Sequence, residues 1–541
     1  MRILPQGLEK LCIDLDVKHT KLTETISHDD ITLDNYTTFP ALPTYLSHDV
    51  RGLLEVMLNF NHSVFDDLKI DVTTCFTGAS LSKSTFYRNY YNKNKCAVYT
   101  LSDDHDKFIR DGYFGGRVEF FKMGPVEHAY YYDFTSLYPD VGRQHLPCGK
   151  PTEVDFKGSA NINPKKEGDE YFFGFVKCMV RTKDAIALPK HAVIMNGRLT
   201  FPIFETWTPL QCFSQEIDYD IYEYKFERGL HFKNKCFMSK FFIDGFEKKA
   251  KAKADGKPAM AQAHKIIINS GYGFWGLRTQ DRDGVIICKK DSGDYLEYLN
   301  TERLVTMKEN DDGSLFCRVK KNLKVTDFNV VVASAISSYA RLKLHDLLTD
   351  IRAVGGDVYY CDTDSVICNI NLCDHPKLQE KFQWDGDGSE LGSLKNECDE
   401  LVEKKLKKLY PDDEAKQEDT FKELVKFENG NLSFDCGLIE GCKQYALKKS
   451  IVVDGVKHEL NVLKCKGYSK NDKALTYEDF ETLDSGGYIS QEQMQFKCPK
   501  SNYVSETDSF NIKTKYVTKK FRQTYTKGVV STDGTVTPHR I

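Results

Sequence analysis

Two acidic side chains in the second half of the chain are spaced and flanked as in a site for divalent metal ions. Asp362 and Asp364 stand two residues apart, with apolar arms at 358–360 and 366–368. In an extended or hairpin tip this spacing puts both carboxylates on one side of the chain. Two like charges are costly to bury together unless a cation lies between them, and hard oxygen ligands select Mg²⁺ or Mn²⁺. An acidic turn is the alternative, and the flanking strands favour metal binding.

A third carboxylate, that of Asp133, ends a strand-like apolar run that begins at Ala129. Pro139 marks the break after the turn that follows. An aspartate at a strand end is commonly a cap or turn residue, but the Ser-Leu-Tyr-Pro that follows makes this instance more specific. Two-metal phosphoryl transfer needs carboxylates from separate strands around ions roughly 3.5–4 Å apart. We therefore expect Asp133 to converge with the Asp362–Asp364 pair.

A third segment carries the groups that bind a nucleoside triphosphate. Lys265, Asn269 and Tyr272 stand at i, i+4 and i+7, which predicts one shared helix face. The opposite contour, 266–268, can pack inward. The lysine suits phosphates, and the ring suits the base and sugar. The alternative is an ordinary surface helix with Gly271 as its C-cap.

Together these segments resemble the three polymerase motifs of family B DNA polymerases. DxxSLYP occurs at 133–139, KxxxNSxYG at 265–273 and DTDS at 362–365, complete and in that order. The resemblance implies an α+β right-hand fold with palm, fingers and thumb, plus the remnant of a 3′–5′ exonuclease (RNase H-like) domain. It implies a nucleotidyltransferase, a DNA-directed DNA polymerase that extends a primer with dNTPs on a DNA template.

The same resemblance assigns the catalytic centre. Asp133, Asp362 and Asp364 are the implied catalytic residues, with Asp362 in a supporting role near the primer end. Two Mg²⁺ ions, with Mn²⁺ as a substitute, are implied at Asp133, Phe134 and Asp364. Tyr138 looks like the steric gate that excludes a ribose 2′-hydroxyl. The implied nucleotide-binding residues are Ser136, Leu137, Tyr138, Lys253, Lys265, Asn269 and Tyr272.

Further short elements resemble the DNA-binding parts of the family. Residues 113–116 resemble a YxGG element, whose glycines would let the backbone approach template phosphates. Residues 443–445 resemble the KxY element near the primer terminus, and Tyr525–Gly528 resembles part of a thumb that grips duplex DNA. The implied DNA-binding residues are Tyr113, Gly115, Gly116, Thr363, Lys443, Tyr445 and Lys527.

The spacing of the motifs favours priming by a terminal protein. Lys265 follows Asp133 by 132 residues, and Asp362 follows Gly273 by 89. These lengths fit the two insertions of protein-primed members, one contacting the primer protein and the other aiding processivity and strand displacement. The predicted organisation is an exonuclease remnant over 1–84, a linker with the first palm segment over 85–150, a palm insertion and candidate terminal-protein contact over 151–236, fingers over 237–276, a strand-rich insertion over 277–326, palm over 327–450, and thumb with basic tail over 451–541.

The proofreading motifs of the family are matched only in part. Tyr45 and Asp49 fit its YxxxD motif, but no DxE pair stands at a plausible distance upstream. Asp14 and Asp16 are too close to Asp49 and lack the glutamate. Because one carboxylate cannot hold two metal ions, we expect no exonuclease activity in this chain. A proofreading segment on a longer chain and its loss both stay open.

Composition sets the broad class. The chain has 541 residues, of which 40% are hydrophobic and 28% charged, so several domains are expected. No run of 18 apolar residues and no apolar signal core occur, so we expect neither a membrane span nor secretion. We expect an intracellular location, with nucleus, mitochondrion and viral factory all open.

Seventeen cysteines without a CxxC pair favour a reducing compartment over zinc or disulfides. The net charge of −4 leaves local basic clusters at 248–257 and 511–541. They suit either phosphates or a solvated surface.

The spacing of apolar and charged residues along the chain predicts helices over 237–275 with a turn at 255–258, over 328–351 and over 395–425. It predicts short strands over 280–325, two strands around the 357–368 turn, and a strand-rich region from about 440. Two other functions stay open: a DNA-binding remnant of a mobile element or virus without catalysis, and another palm enzyme such as a reverse transcriptase or RNA polymerase.

Overall fold

A computed structural model gives the fold of the chain. The structure describes residues 3–22, 31, 35, 37–92, 98–157, 162, 172–184, 186, 188–236, 238–277, 283–290, 292–301, 304–310, 313–320, 329–382, 390–428, 430–469, 474–496, 503–504, 509–510, 514–524 and 526–541. Among these residues, no helix combines the length and the apolar character needed to cross a bilayer.

The helices, numbered in chain order, are α1 (Leu8–Asp14), α2 (Leu42–Leu68), α3 (Gly78–Asn89), α4 (Asp103–Arg110), α5 (Leu137–Val141), α6 (Ser239–Ala254), α7 (Pro258–Ser270), α8 (Gly293–Asn300), α9 (Val330–Ala353), α10 (Pro376–Lys381), α11 (Glu397–Leu409), α12 (Glu414–Phe427) and α13 (Tyr477–Asp484).

The strands are β1 (Val118–Phe120), β2 (Gly124–Phe134), β3 (Leu146–Cys148), β4 (Thr152–Asp155), β5 (Gly174–Thr182), β6 (Val193–Met195), β7 (Arg198–Thr200), β8 (Thr208–Phe213), β9 (Tyr222–His231), β10 (Asn234–Cys236), β11 (Asp283–Lys289), β12 (Leu304–Glu309), β13 (Ser314–Lys320), β14 (Val358–Asp362), β15 (Ser365–Cys368), β16 (Leu394–Asn396), β17 (Phe434–Gly441), β18 (Gln444–Val453), β19 (Val456–Cys465), β20 (Ile489–Phe496), β21 (Tyr503–Val504), β22 (Ser509–Phe510), β23 (Thr514–Phe521), β24 (Val529–Val530) and β25 (Val536–Thr537).

The largest sheet forms the palm and positions the predicted motifs. Its order is β1-β14-β15-β2-β17-β18-β19, and β16 also pairs with β2. All of these pairings are antiparallel. At the end of β2, Asp133 lies opposite Ser365 on one side and Lys395 on the other. The hairpin β14–β15 and its turn confirm the two strands predicted around 357–368.

The core beneath this sheet contains the long helix α9. Residues 330–338 are all buried, as expected for a helix that is apolar on every side. The Asn329 side chain caps it by accepting a hydrogen bond from the Val331 amide at 3.0 Å. The helix packs against α5, β3 and β14. It confirms the helix predicted over 328–351, although Phe328 itself lies outside the described residues.

Helices α6 and α7 form a helical hairpin in the segment predicted as the fingers. Gly256, with φ of +66°, makes the turn, and Pro258 is the first residue of α7. The two helices approach closely at Gly245, where an added Cβ would lie 2.3 Å from Cγ2 of Ile268. The helical prediction over 237–275 is therefore confirmed for 239–254 and 258–270, with its break at 255–258, but the second helix ends at Ser270.

Two smaller sheets lie between the motifs. One has the order β4-β9-β5-β8 and falls within 151–236; the other has the order β11-β13-β12 and falls within 277–326. The strands predicted over 280–325 are confirmed, but the sequence prediction missed α8, which the Ser292 side chain caps. The charged helical stretch predicted over 395–425 is confirmed as two helices, α11 and α12.

The C-terminal region is strand-rich from β17 onward, as predicted. Strands β20 and β23 pair, and the chain then returns to the palm. The Met123 amide donates to the Gly534 carbonyl at 2.7 Å, and the Ile203 amide donates to the His539 carbonyl at 2.8 Å. Residues 526–541 therefore lie along the palm edge and the 201–205 segment, and not only in a thumb.

Candidate active site

The structure brings Asp133 and Asp364 together. Strands β2 and β15 pair beside them, and the Phe134 amide donates to the Asp364 carbonyl at 2.8 Å. Both carboxylates line one cavity of about 800 Å³. Burial, followed by repulsion from Asp364, raises the pKa of Asp133; burial, followed by repulsion from Asp362, raises the pKa of Asp364. The site thus concentrates negative charge that it does not fully compensate.

These groups fit a divalent cation of the Mg²⁺ type. Asp133, Phe134 and Asp364 all line the cavity, and they offer carboxylate and carbonyl oxygens, the donors that such ions prefer. A cation between the two carboxylates would offset the repulsion that raises their pKa values. The residues that sequence analysis assigned to the metal are therefore chemically suited to it.

Another set of potential ligands lies elsewhere. Asp104, His105 and Glu153 form this set in the described part of the chain. One potential metal-binding atom of each side chain lies within 4.8 Å of those of the other two. Arg228 lies 2.7 Å from Asp104 and 3.1 Å from Glu153. The guanidinium compensates this exposed cluster, which we interpret as an ion-pair network.

Asp362 has a different environment from the other two aspartates. Both its oxygens accept hydrogen bonds from Lys443 Nζ, at 2.6 and 2.7 Å, and Oδ2 also accepts one from the Tyr360 hydroxyl at 3.0 Å. It is not among the residues that line the cavity with Asp133 and Asp364. In this structure Asp362 is the counter-ion of Lys443, which agrees with a supporting position.

Two tyrosines form one wall of the cavity. The rings of Tyr138 and Tyr272 stack with centroids 4.4 Å apart and an interplanar angle of 29°. The predicted shared helix face is wrong for Tyr272, because α7 ends at Ser270 and a 3₁₀ turn begins at Gly273. Tyr272 nevertheless reaches the same cavity through its contact with Tyr138.

The residues between Asp133 and Tyr138 also line the cavity. Ser136 adopts a left-handed conformation, with φ of +57°, immediately before α5. Leu137 is buried in the core beneath the cavity. The backbone bend at Ser136 is what turns the chain from the strand end at Asp133 to the ring of Tyr138.

Lysines from helices α6 and α7 line the same cavity. Lys253 on α6 and Lys265 on α7 were predicted from sequence, and Asn269 lies one turn beyond Lys265. Lys249, which lies one turn before Lys253, lines the same cavity; sequence analysis placed it in the basic cluster at 248–257 but not among the nucleotide-binding residues. Burial, together with the charges of Lys265, Lys253 and Lys395, lowers the pKa of Lys249 to about 8. This crowding of ammonium groups is the electrostatic environment expected for a polyphosphate ligand.

Lys395 is a second cation that sequence analysis did not assign to the site. Its Nζ lies 3.9 Å from Asp133 Oδ1, 2.5 Å from Glu397 and 2.8 Å from Glu400. Burial lowers the pKa of Lys395, but its acidic partners outweigh burial and raise it overall. No motif marks this lysine, because only the pairing of β16 with β2 brings it to Asp133.

The YxGG element lies against the palm rather than standing free. Arg341 on α9 donates to the carbonyls of Phe114 and Gly115, at 2.9 and 3.2 Å. Burial raises the pKa of Tyr113, whose hydroxyl would lie 2.8 Å from a Cβ added at Gly276. Only Gly115 of this element is both exposed and free of close neighbours at its Cα.

Two predicted DNA-binding residues make contacts within the protein. Tyr445 is 2% exposed, and its hydroxyl lies 3.1 Å from that of Tyr131. Its DNA-binding role stays a prediction. Lys527 donates to the Val118 carbonyl at 2.7 Å and so joins the C-terminal segment to β1. Tyr525, the first residue of the proposed thumb motif, lies outside the described residues.

The predicted exonuclease remnant is helical. Tyr45 and Asp49 lie one turn apart on α2, with Tyr45 buried. The Asp49 Oδ1 atom is buried without a hydrogen-bond partner among the described residues. The described part of 1–84 contains helices and no strand, so any remnant of an RNase H-like domain there lacks its sheet.

Comparison with known proteins agrees with this geometry. Solved structures of phi29 DNA polymerase superpose on almost the whole chain. The complex with primer-template DNA and incoming nucleotide gives a TM-score of 0.62 at 16% identity, covering 97% of this chain and 79% of that chain. The binary complex with primer-template DNA gives 0.61 at 19% identity, covering 96% and 78%. At these identities the likeness establishes the fold alone.

Sequence relatives carry polymerase names. A probable DNA polymerase of Podospora anserina is 25% identical over 386 residues, 65% of this chain and 30% of the relative. One of Neurospora intermedia is 27% identical over 366 residues, covering 65% and 35%. The DNA-directed DNA polymerase of Enterobacteria phage PRD1 is 27% identical over 270 residues, covering 49% and 44%. The chain thus spans less than half the length of each of these relatives.

The family assignment rests on a longer match. Residues 10–352 fit the family described as DNA polymerase type B, organellar and viral. That range includes the DxxSLYP and KxxxNSxYG segments, and DTDS follows ten residues after it. This chain belongs to the organellar and viral type B DNA polymerases.

Proposed function

We propose that this chain is a template-directed DNA polymerase that extends a primer with dNTPs by two-metal phosphoryl transfer. The observation that carries the proposal is the convergence of Asp133 and Asp364 in one cavity that Lys249, Lys253 and Lys265 also line. Carboxylates to hold metal ions and ammonium groups to bind the triphosphate are the two requirements of this chemistry.

In the proposed reaction the primer 3′-oxygen bonds to the α-phosphorus while the bond to the pyrophosphate oxygen breaks. The hydroxyl proton leaves to solvent, and pyrophosphate is released. Bound Mg²⁺ ions, held by Asp133, Asp364 and the Phe134 carbonyl, would stabilise charge on the attacking and leaving oxygens. Lys265 and its neighbouring lysines orient the triphosphate and neutralise its leaving end. Tyr138 and Tyr272 bound the sugar and base side of the cavity.

The test is primer extension by the purified chain on a primed DNA template with Mg²⁺. We expect dNTP incorporation that chelation of the metal abolishes. Asp133→Asn or Asp364→Asn is expected to lower the rate by several orders of magnitude while the Kd for primer-template stays within a few-fold. Asp104→Asn, an exposed carboxylate outside the cavity, is the matched control. Failure of the wild-type chain to incorporate dNTPs would contradict the proposal and favour a non-catalytic DNA-binding role.

We also propose that synthesis starts on a protein. Two observations support this: separate sheets fill both inter-motif segments, and the family includes viral and organellar members. The hydroxyl donor would be a Ser, Thr or Tyr of a partner protein. Incubating the enzyme with labelled dNTP, Mg²⁺ and the proteins of its genome should label one protein without a nucleic-acid primer. If label enters only added DNA primers, this mode is wrong.

We further propose that the chain itself does not proofread. The support is chemical: Asp49 stands without the DxE partner needed for a second metal ion. Degradation of single-stranded DNA by the purified chain, lost in Asp49→Asn, would contradict this.

A further inference from the structure

The turn that carries Asp364 is strained. Thr363, between the two aspartates, has φ of +64°. A β-branched residue in the left-handed region is a genuine outlier, and such strain persists only when the surroundings over-determine it. Something outside the β14–β15 hairpin must therefore hold this turn in place.

Gly116, the last residue of the YxGG element, and Arg117, which follows it, supply those contacts. The Thr363 amide donates to the Arg117 carbonyl at 2.7 Å. A Cβ added at Gly116 would lie 2.7 Å from Thr363 Cγ2 and 3.1 Å from Oγ1. The Thr363 side chain therefore occupies the space that a side chain at Gly116 would need. The Thr363 hydroxyl meanwhile donates to Asp362 Oδ1 at 3.1 Å. Rotating the threonine away from an added methyl would break that hydrogen bond.

The Arg117 carbonyl is itself rigidly placed. Its side chain is 1% exposed, donates from Nε to Glu119 at 2.7 Å and from Nη1 to the Pro189 carbonyl at 2.9 Å, and lies 4.2 Å from the centre of the Phe201 ring. Strand β1 begins at the next residue, where Val118 pairs with Asp362. A buried arginine with this many fixed contacts makes its backbone a stable acceptor.

We infer that Gly116 and Arg117 are positioning residues for the catalytic turn: they hold Thr363 in its left-handed conformation and so keep Asp364 directed at Asp133. This inference rests on the proposed polymerase function. It gives Gly116 a role different from the template-phosphate contact expected from its motif. Gly116 does not have a positive φ, so the reason for glycine here is space and not backbone freedom.

The test is Gly116→Ala, because alanine fits the backbone and adds only the methyl that collides with Thr363. We expect kcat for dNTP addition at saturating DNA to fall on the order of 10²-fold, the scale of a 1 Å misplacement of a catalytic group. The Kd for primer-template should change less than threefold. A loss confined to DNA affinity, with kcat unchanged, would overturn the inference and restore the template-contact role.

Two matched variants separate positioning from general damage. Gly7→Ala adds the same methyl in open space, at a residue outside the nucleotide, metal and DNA assignments, and a kcat loss as large as that of Gly116→Ala would contradict the inference. Thr363→Ser removes Cγ2, the closest atom. The effect of Gly116→Ala should therefore be several-fold smaller when measured in a Thr363→Ser background than in the wild type. Equal effects in both backgrounds would show that the two residues do not act through each other.

Hydrogen exchange tests the contact between Gly116 and Thr363 without relying on catalytic activity. Hydrogen exchange of the Thr363 amide should be slow in the wild type and accelerate at least tenfold in Gly116→Ala. If the wild-type chain is inactive but this exchange difference appears, the proposed function fails while the structural inference stands. If the wild type is active and the exchange is unchanged, the inference fails alone.

Discussion

The half-buried Lys249, which lies among other lysines, should make nucleotide affinity depend on pH. Its pKa is about 8, lowered first by burial and then by the positive charges of Lys265, Lys253 and Lys395. A bound triphosphate brings negative charge into this cluster and raises the pKa of Lys249 back toward or above its ordinary value of about 10.4. Nucleotide binding therefore takes up a proton when the pH exceeds 8.

The direction and the size of the change in dNTP affinity with pH follow from the linkage between proton binding and nucleotide binding. The bound state has the higher pKa, so affinity is fully present below pH 8 and is lost as pH rises above it. Each pH unit between the two pKa values costs about a factor of ten. From pH 7 to pH 9 we therefore expect the Kd for dNTP to rise about tenfold.

The assay is single-turnover incorporation at several dNTP concentrations at pH 7, 8 and 9, which separates the Kd for dNTP from the rate of chemistry. Lys249→Met should bind dNTP roughly 10–100-fold more weakly at pH 7, the scale of a lost charged hydrogen bond, and its Kd should no longer rise with pH. Lys249→Arg stays protonated and should keep affinity without the pH dependence. If the tenfold rise persists in Lys249→Met, another group is responsible and the reasoning is wrong.

The remaining predictions concern Tyr138 in the cavity and the Lys443–Asp362 ion pair beside it. Tyr138→Val should increase incorporation of rNTPs with little loss of dNTP use, measured as the ratio of kcat/KM values; ready use of rNTPs by the wild type would contradict the steric-gate role. Lys443→Met leaves the partly buried Asp362 carboxylate without its ammonium partner, so we expect a lower Tm and slower extension. Adding Asp362→Asn removes that uncompensated charge and should recover part of the lost Tm, whereas strictly additive losses would show that the pair does not interact.

Short sequence patterns were sufficient to predict those structural features that depend on neighbouring residues alone. The DxD spacing predicted a hairpin tip at 362–364, and Gly256 with Pro258 predicted the break between the fingers helices. Tyr272 shows the limit of such patterns. Periodicity placed it on a helix, but that helix ends two residues earlier. Its position in the cavity depends on stacking with Tyr138, which no spacing in the sequence encodes.

Lys249 and Lys395 show the same limit for charges. A lysine is usually solvated, and neither residue lies in a recognisable motif. Lys395 reaches Asp133 only because β16 pairs with β2. Lys253 crowds Lys249 from the same helix, but the charges of Lys265 and Lys395 act on it only through the tertiary fold. Two side chains that their motifs assign to DNA also have partners that no motif predicts: Tyr445 is buried beside Tyr131, and the partly exposed Lys527 donates to the Val118 carbonyl.

The sequence by itself determined the family, the order of the motifs and the identity of the acidic and basic groups that could perform phosphoryl transfer, because those depend on residue types at short, fixed spacings. Only the tertiary structure decided which carboxylates share the cavity, which lysines face them, and that Asp362 is already paired with Lys443. It also decided that Gly116 supports the catalytic turn. Such relations arise from contacts between residues tens to hundreds of positions apart, and the energy of those contacts depends on burial and distance, which a linear pattern does not contain.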